Sequence, residues 1–354
     1  MRALCFARHG DTSELGVAER PKPEPGPGEV LVRVRTAALN HLDLFVLGGM
    51  PGIPVDLPHI GGADGAGLVA ELGSAVTGWR VADEVVLNPG VWCGRCEFCR
   101  TGEESQCVSF RLLGEHMDGT FAELVKVPAA SLAAKPAYLS WTEAGAFGLT
   151  FLTAWRMLMV RARLRRGESV LIHGIGGGVA LAALAIAKRA GATVFVTSSS
   201  EAKLERAREM GADHGLNYTS CEIWREVRAL TAKRGVDVVV ETVGKATWND
   251  SLRSAAKGGR IVTCGATSGP DPAEEVRLVF WNHLSILGST MGSRADWAAM
   301  TRAAQEWQLR PVVDSVLPLE HGREAYERMA HGGQLGKVVL DVAGATSQVG
   351  QKGA

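Results

Sequence analysis

The chain has 354 residues, which is longer than one ordinary domain and suits two. Hydrophobic residues make up 46% and charged residues 21%, a composition that excludes extensive disorder and a coiled coil. Lys and Arg together number 38, as do Asp and Glu, and this balance without a basic block argues against a nucleic-acid binder. Apolar runs are too short to span a bilayer and no signal-peptide pattern is present, so we expect a cytoplasmic protein without a membrane partner.

The first 140 residues contain short apolar runs broken by Gly and Pro. Residues 21–28 form a rigid turn, and the alternating segment Glu29–Thr36 that follows predicts a strand. Gly67–Leu72 and Asp83–Leu87 are two examples of these short apolar runs. This part of the chain therefore indicates an irregular, β-rich domain.

From Trp141 onward, strands and helices alternate. A helix over 141–160 is followed by predicted strands at 169–173, 193–197, 215–218, 236–241, 259–264 and 284–288. Helices at 177–190, 201–210 and about 221–231 connect the first four of these strands. Such alternation implies βαβ units and a doubly wound parallel sheet that helices cover on both faces.

The end of the chain is predicted to return to the first domain. After a helix at about 294–306, residues 312–317 and 337–341 have the pattern of strands, and residues from 344 are expected to fray. We therefore predict an α/β protein in which residues 310–354 complete a first domain of residues 1–140, while residues 141–309 form the second.

A glycine-rich turn connects the first of the alternating strands to its helix. It reads HGIGGGVA over 173–180, which departs from the strict spacing G-x-G-x-x-G but ends on a tolerated Ala. Glycines let a backbone approach a pyrophosphate, and the helix N-terminus offers free N–H groups and a partial positive charge. The turn therefore predicts a dinucleotide site, whose residues are Gly174, Gly176, Gly177, Gly178 and Val179.

The end of the second alternating strand bears on which dinucleotide binds. An acidic residue there would hold the ribose 2′-hydroxyl of NAD, but the segment reads TSSS over 197–200. Small hydroxyls such as Ser199, with Lys203 nearby, leave space and positive charge for a 2′-phosphate. We therefore predict NADP(H), with NAD(H) as the alternative. In the competing structural explanation, Ser200 is an ordinary N-cap and Lys203 is a solvated surface charge.

Four of the seven cysteines are close together in the sequence, with the spacing C-x2-C-x2-C-x7-C. Four thiolates close a tetrahedral zinc shell and leave no open position, so such a site is structural rather than catalytic. The pattern predicts one structural zinc at Cys93, Cys96, Cys99 and Cys107. An iron–sulfur cluster, which uses the same ligands, is the alternative.

These motifs together resemble the medium-chain dehydrogenase/reductase superfamily, which includes the zinc-type alcohol dehydrogenases and the quinone oxidoreductases. The resemblance covers nearly the whole chain and also rests on PGPGEVLV over 25–32, GGADGAG over 61–67, DGTFAE over 118–123 and GKVVL over 336–340. It implies a GroES-like β-rich domain and a Rossmann domain. In this family an apolar edge, here within 276–287, pairs two sheets, so a homodimer or homotetramer is expected.

The same resemblance shows where this chain departs from the alcohol dehydrogenases. Their three catalytic-zinc ligands correspond to Asn40, Ala63 and a position near Leu149, and Leu42 replaces the proton-relay hydroxyl. Since a catalytic zinc needs three protein ligands and an open position, we predict that this chain has none. An improvised zinc site is the alternative, and it would use Asp43, Asp64, His41 and His59.

The quinone oxidoreductase branch is the better match. Its Asn-x-x-Asp motif corresponds to Asn40 and Asp43, which implies that these two residues orient the substrate and the nicotinamide. A turn held by side-chain hydrogen bonds is the structural alternative. His41 is a candidate proton donor near neutral pH or, equally, a structural histidine. Further expected cofactor contacts are Thr153, Ser199, Lys203, Tyr218 and Gly265.

These predictions favour an NADP(H)-dependent oxidoreductase that transfers hydride to a conjugated carbonyl, an enone or a quinone, without a catalytic metal. Within the enzymes, the alternative is a zinc-type alcohol dehydrogenase acting on an alcohol and aldehyde pair. The alternative that is not an enzyme is a nucleotide-binding protein without turnover. The residues that select a substrate vary freely on this fold, so the sequence does not name the substrate.

Overall fold

The computed structural model describes residues 1–50 and 52–344. They divide into two compact units: unit 1 comprises Met1–Leu149 and the described chain from Ser293 onward, and unit 2 comprises Thr150–Gly292. Within these residues, every helix is too short or too polar to cross a membrane. The part of the predicted frayed tail that follows Gly344 lies outside the described residues.

The secondary-structure elements are numbered in chain order. The strands are β1 (Arg2–Phe6), β2 (Gly16–Glu19), β3 (Glu29–Ala38), β4 (His59–Ile60), β5 (Asp64–Leu72), β6 (Glu84–Leu87), β7 (Gly90–Val91), β8 (Arg111–Leu112), β9 (Leu124–Pro128), β10 (Leu132–Ala134), β11 (Ser169–Ile172), β12 (Thr193–Ser198), β13 (His214–Asn217), β14 (Val236–Glu241), β15 (Ala255–Thr263), β16 (Ser285–Gly288), β17 (Val313–Pro318) and β18 (Lys337–Asp341). The helices are α1 (His41–Gly48), α2 (Glu97–Arg100), α3 (Trp141–Gly145), α4 (Gly148–Trp155), α5 (Gly178–Arg189), α6 (Glu201–Glu209), α7 (Ile223–Leu230), α8 (Trp248–Ser254), α9 (Val276–Trp281), α10 (Arg294–Trp307) and α11 (Gly322–Ala330).

Unit 1 is built on a mixed sheet in the order β10-β6-β5-β3-β18-β17, with β9 also paired to β3. The long strand β3 alternates buried apolar residues with more exposed ones, and Val30, Val32 and Val34 belong to the core. Strand β18 is buried along its whole length and pairs antiparallel with β3, so that Val339 lies opposite Ala38. The two late strands therefore return to the first part of the chain, as the sequence predicts.

Unit 2 is a six-stranded parallel sheet in the order β13-β12-β11-β14-β15-β16. Its central strands are continuous apolar runs, as in Val170–Ile172 and Val238–Val240, because both faces of such a sheet are covered. Helix α5 packs a row of buried Ala and Leu side chains toward β11 and β12. The predicted α/β class, a GroES-like β-rich part with a doubly wound parallel sheet, is confirmed.

The structure differs from the sequence prediction in the helices around the unit boundaries. The single helix predicted over 141–160 is α3, α4 and a π-helical segment over 156–161. Helix α3 lies against β3 and β5, and the single hydrogen of the Tyr138 hydroxyl faces two carbonyl oxygens, Ala304 O of α10 at 2.8 Å and Leu309 O at 2.7 Å. These two helices therefore belong to unit 1, whereas the predicted boundaries at 140 and 309 assign both of them to the second domain.

Candidate active site and metal site

The four clustered cysteines lie in one segment of unit 1 between β7 and β8, which we call the cysteine lobe (residues 92–110). Their Sγ atoms all lie within 4.8 Å of one another, and the Cys96–Cys99 and Cys93–Cys99 separations are 3.5 Å and 4.0 Å. A tetrahedral shell with Zn–S bonds of about 2.3 Å needs sulfur separations of about 3.8 Å. The arrangement of the four cysteine side chains therefore fits one zinc ion.

Backbone N–H groups prepare these sulfurs for a cation. The amide of Cys93 donates to Cys107 Sγ over 3.3 Å, and the amide of Cys96 donates to Cys93 Sγ over 3.4 Å. Amides of Cys99 and Val108 lower the pKa of Cys96 to about 6, and the thiolate is the form that binds metal. Among the described residues, these four cysteines are the one group of at least three Cys, His, Asp or Glu side chains that lie close enough together to hold a metal ion.

A second polar cluster, which we call the Lys337 cluster (Asn40, Asp43, Asp64 and Lys337), lies in unit 1 where three strands meet. Strand β3 ends just before Asn40, β5 begins at Asp64, and β18 begins at Lys337. Ala38 pairs with both Asp64 and Val339, and extending the antiparallel register of β18 by two residues brings Lys337 opposite Asn40. Sheet register therefore assembles this cluster from distant parts of the sequence.

Lys337 is the only cation of this cluster, and its ammonium is 4% exposed. Its Nζ donates to Asn40 Oδ1 over 2.5 Å and to Asp64 Oδ2 over 2.8 Å. Asn40 Nδ2 donates to the same Asp64 Oδ2 over 3.0 Å. The second oxygen of Asp64 accepts the Leu149 amide over 2.6 Å. Both carboxylate oxygens of this fully buried side chain are therefore satisfied.

Asp43 holds the backbone around the cluster. One carboxylate oxygen accepts the Asn40 amide over 2.7 Å, and the other accepts the Gly62 amide over 2.9 Å. Its side chain is buried, and burial raises the pKa of Asp43 to about 7. These bonds match the predicted structural alternative of a hydrogen-bonded turn, since both oxygens are used in fixing the start of α1 and the segment before β5.

His41 is the first residue of α1 and follows Asn40 directly. Desolvation, together with the positive charge of Lys337, lowers the pKa of His41. A histidine whose pKa lies below its ordinary value of about 6.5 is mostly neutral at pH 7. At pH 7 His41 therefore carries a donatable proton less often than the sequence alone suggests.

The three positions that the family resemblance assigns to catalytic-zinc ligands surround the same cluster. Ala63 is fully buried, and Leu149 is a buried apolar side chain whose amide bonds to Asp64. Asn40 is the one polar residue of the three, and its carbonyl oxygen already accepts a hydrogen bond from an ammonium group. This donor set does not fit a catalytic zinc, because two of the three side chains have no donor atom.

The glycine turn of unit 2 lies between β11 and α5. Gly174 and Gly176 have φ values of +67° and +148°, which are readily adopted only by glycine. Thr197 of the neighbouring strand holds the turn, since its hydroxyl accepts the Gly174 amide over 3.2 Å and its carbonyl accepts the Ile175 amide over 2.8 Å. Gly177 is the N-cap of α5, so the turn, with Gly178 and Val179, presents backbone N–H groups at a helix N-terminus.

The predicted 2′-phosphate contacts lie at the carboxyl ends of β12 and β13. Ser199 follows β12, the Lys203 side chain is half-buried on α6, and Tyr218 follows β13 with 53% of its surface exposed. Ser200 is the N-cap of α6, where its hydroxyl accepts the Lys203 amide over 3.4 Å. The structure therefore contains the N-cap that the alternative explanation expects, and it brings the three predicted side chains to one edge of the sheet.

Thr153 and Gly265 occupy separate places in unit 2. Thr153 is buried in α4, and its hydroxyl lies 3.6 Å from Met291 Sδ. Gly265 follows β15, and a Cβ at this position would lie 3.1 Å from Thr242 O, a tight contact. Both residues remain candidates for contact with a bound cofactor.

Two groups of functional interest are not among the predicted site residues, and the sequence favours a role for one of them, Glu201, at the start of a helix. Lys337 is visible in the sequence only as part of the GKVVL motif, and its partners are 297 and 273 residues away. Glu201 is an acidic side chain at the edge of β12 and β13, where its carboxylate accepts a hydrogen bond from Asn217 Nδ2 over 2.7 Å. The adjacency of Glu201 to the TSSS segment is a signal that could have drawn more attention to it.

Comparison with known proteins gives the family. Residues 26–137 match the alcohol dehydrogenase GroES-like domain, and residues 178–306 match the zinc-binding dehydrogenase family. A zinc-type alcohol dehydrogenase-like protein of Schizosaccharomyces pombe is 34% identical over 96% of this chain and 99% of its own length. An acryloyl-coenzyme A reductase of Metallosphaera sedula is also 34% identical, over 96% of this chain and 99% of its own length.

A solved structure described as an NAD-dependent alcohol dehydrogenase superposes with a TM-score of 0.92. It is 46% identical and covers 97% of this chain and all of its own. The matches extend over both units. The chain therefore belongs to the medium-chain dehydrogenase/reductase superfamily and is an oxidoreductase of that family.

Proposed function

We propose that this protein is an NADP(H)-dependent oxidoreductase that reduces a conjugated carbonyl compound without a catalytic zinc. The observation that carries the proposal is the Lys337 cluster. Two of the three positions expected for zinc ligands are Ala63 and Leu149, and the third, Asn40, is bonded to the Lys337 ammonium. A metal ion at this place would have to displace a positive charge that is already held by hydrogen bonds.

This arrangement affects which substrates can react. A zinc ion lowers the pKa of a bound alcohol and polarises a carbonyl, so an enzyme without it is poorly equipped for simple alcohols. A conjugated carbonyl accepts hydride at an electron-poor carbon, and the negative charge spreads onto its oxygen. The nicotinamide supplies the hydride when bound. The protein has only to orient the substrate and hold the oxygen with a hydrogen-bond donor.

Asn40 is the candidate donor to that oxygen. Its Nδ2 carries two hydrogens, of which one is bonded to Asp64. His41 follows as a candidate proton source, although its lowered pKa weakens that role. The acryloyl-coenzyme A reductase relative supports the same class of substrate, because its name describes reduction of a conjugated carbonyl compound.

The alternative is an alcohol dehydrogenase, and the 46% identical solved structure supports it because that protein is described as an NAD-dependent alcohol dehydrogenase. The two functions can be separated by measuring NADPH oxidation with enones, quinones and aldehydes, and NADP⁺ reduction with simple alcohols. We expect enone or quinone reduction to be faster, insensitive to mild chelation and slowed by Asn40→Ala. Faster alcohol oxidation that is lost on mild chelation would establish the alternative.

We propose NADP(H) as the cofactor because Ser199 and Lys203 lie at the edge of β12 where a 2′-phosphate would bind. A charged hydrogen bond contributes roughly 1.5–3 kcal/mol, or about ten- to a hundredfold in affinity. NADPH should therefore bind at least about tenfold more tightly than NADH, and Lys203→Glu should remove much of this preference. The exposed Lys257 near the start of β15 provides a control, Lys257→Glu, with the same charge change.

Glu201 provides the competing expectation. If its carboxylate binds the ribose 2′-hydroxyl, the unmodified protein will bind NADH as tightly as NADPH, and Glu201→Gln will weaken NADH binding. Binding can be measured by quenching of protein fluorescence without any substrate. Equal affinities in the unmodified protein would therefore reject NADP(H) in favour of NAD(H).

We also propose a homodimer formed through the edge of the parallel sheet. Strand β16 is the last strand of this sheet and is largely exposed. Helix α9, which precedes this strand in the chain, exposes two large apolar side chains, Phe280 and Trp281, to 60% and 72%. A second copy would cover both the edge and this apolar surface across a two-fold axis. Sedimentation should show a dimer, or a tetramer built from two dimers, that dissociates in Trp281→Glu; a monomeric unmodified protein would contradict the proposal.

The proposed location is the cytoplasm. All seven cysteines are free thiols, which fits a reducing compartment.

A further inference from the structure

The reaction proposed above makes no use of Lys337, although burying this side chain is costly. Lys337 and Asp64 form an ion pair in which the two side chains are 4% and 0% exposed. A buried ion pair often stabilises a fold no better than apolar residues of the same size would, because both charges lose their hydration. The pair has no net charge either, so it adds little electrostatic attraction for a negative oxygen. Its specific effect is on the third member of the cluster, Asn40.

The two charged groups fix the direction of the Asn40 amide. An ammonium group has no acceptor, so the atom that faces Lys337 Nζ at 2.5 Å must be the amide oxygen. A carboxylate has no hydrogen, so the atom that faces Asp64 Oδ2 at 3.0 Å must be the amide nitrogen. If the amide rotated by half a turn, a donor would face the Lys337 ammonium and an acceptor would face the Asp64 carboxylate. The donor and acceptor character of the two neighbouring groups therefore determines the orientation of the Asn40 amide.

This orientation leaves one hydrogen of Asn40 Nδ2 weakly engaged. The nearest acceptor besides Asp64 is Ala38 O, at 3.4 Å. Backbone and side-chain N–H groups usually donate over 2.7–3.2 Å, so this contact is a poor hydrogen bond. It is therefore the hydrogen of Asn40 that a further acceptor, such as a substrate oxygen, would take. In the opposite orientation Asn40 would present a carbonyl oxygen, which repels a negative oxygen.

We propose that Lys337 is a positioning residue, which holds the Asn40 amide so that it offers a donor rather than an acceptor to the substrate oxygen. The effect on catalysis rests on the proposed function. The orientation of the Asn40 amide does not depend on that function. No atom or electron is transferred to or from Lys337. Its ammonium acts only through the hydrogen bond to Asn40 Oδ1.

The first test is the activity of Lys337→Met and Lys337→Arg. Loss of one positioned donor to a developing oxyanion lowers kcat on the order of 100-fold or more. We expect Lys337→Met to lower kcat for an enone by about that factor and to leave NADPH binding within about twofold. Lys337→Arg keeps a cationic donor and should recover part of the rate. Lys135 is the matched control, since its side chain is also buried and paired with a carboxylate, and Lys135→Met should keep full activity.

A double variant guards against a folding defect in the single one. In Lys337→Met/Asp64→Asn both charges of the buried ion pair are removed together, and the amide introduced at position 64 can accept from Leu149 and donate to Asn40. That donation requires Asn40 to turn its oxygen toward position 64. The double variant should therefore fold better than Lys337→Met and yet be equally slow. Recovery of the rate in the double variant would contradict the proposal.

A measurement without substrate separates this inference from the proposed function. The Asn40 side-chain amide can be assigned in ¹⁵N spectra by its loss in Asn40→Ala. In the unmodified protein its two hydrogens should have distinct, exchange-protected signals, and Lys337→Met should speed their exchange at least about tenfold. Unchanged exchange in Lys337→Met would overturn the positioning role whatever the substrate is. Faster exchange in a protein that does not reduce enones would leave the orientation established and reject only the proposed function.

Discussion

The cysteine lobe and the Lys337 cluster are two polar sites in the same unit, and they treat positive charge in opposite ways. The cysteine lobe brings four sulfurs within 4.8 Å of one another, an arrangement that a metal ion can complete. The Lys337 cluster has an ammonium group already bonded to its oxygen atoms. The comparison teaches that a cluster of ligand-type atoms can be suited to a metal ion in one place, whereas in another a cation of the protein itself already bonds to the oxygens.

The first prediction would break the comparison at the cysteine lobe, where the largest effect is expected. Metal analysis should find about one zinc per chain, and Cys99→Ser should reduce it to nearly none. Because binding free energy at a structural site is folding free energy, the variant should lose several kcal/mol of stability or become insoluble. Cys221 is a half-buried cysteine outside the lobe, and Cys221→Ser should retain both zinc and stability. Two tightly held zinc ions per chain would show that a second metal site had been missed.

The second prediction concerns the stability of the Lys337 cluster. Lys337→Met leaves the Asp64 carboxylate buried without its ion pair, and such a change costs about 3–5 kcal/mol. The free energy of unfolding in urea should fall by that amount, whereas zinc content should stay at about one per chain. Lys135→Met, at a pair whose acidic partner is half exposed, should cost no more than about 1 kcal/mol. A gain of zinc in Lys337→Met would mean that the ammonium had been the sole obstacle to a second metal ion.

The third prediction sharpens the comparison by testing how the cysteine lobe is joined to α10. The buried Glu104 carboxylate accepts hydrogen bonds from Arg294 Nε over 2.7 Å and from the Arg294 amide over 3.2 Å. Burial alone would raise the pKa of Glu104, but the bonds to Arg294 outweigh it and hold the pKa below its ordinary value. A carboxyl group whose pKa is lowered in the folded state stabilises the fold above its unfolded pKa of about 4.3.

Glu104→Gln should therefore cost about 1 kcal/mol at pH 7, since the Arg294 side chain is half exposed and solvent screens the interaction. The difference from the unmodified protein should begin to shrink as the pH falls below the unfolded pKa of about 4.3, because the unfolded state then binds the proton first, and it should vanish only below the lowered pKa of the folded state. Urea unfolding at pH 7, 5 and 4 measures this. Glu205→Gln, on an exposed pair within α6, should show no difference at any of these values. A difference that grows on acidification would contradict the assigned direction of the pKa.

The sequence predicts local features well and distant ones poorly. All six strands of the parallel sheet and the glycine turn follow from apolar runs and turn residues that are contiguous in the chain. The cysteine lobe is predictable for the same reason, since its four ligands lie between residues 93 and 107. The contact between Lys337 and Asn40 could not be predicted in this way, because the two residues are 297 positions apart. Only the pairing of β18 with β3 brings them together.

The helices near the unit boundaries illustrate a second limit. A continuous helical pattern over 141–160 does not reveal that the chain turns between α3 and α4 and then widens into a π-helix. Nor does it reveal which sheet each helix packs against, since α3 and α10 have apolar faces that suit either. Contacts such as the Tyr138 hydroxyl to Ala304 and Leu309 decide this, and single hydrogen bonds of that kind leave no periodic signal.

The pairing of β3 with β18 also has a consequence for how the protein is made. On the ribosome, unit 2 is complete before β17 and β18 exist, so β3 has finished long before its neighbour is synthesised. At about 5–20 residues per second, the 297 residues between Asn40 and Lys337 take roughly 15–60 s to translate. Throughout that time residues 36–38 of β3 lack the neighbour that β18 provides, and Asp64 lacks its partner Lys337. Open strand edges promote association between chains, so the nascent protein should depend on chaperones most strongly in this interval, and chains that terminate before residue 337 should aggregate.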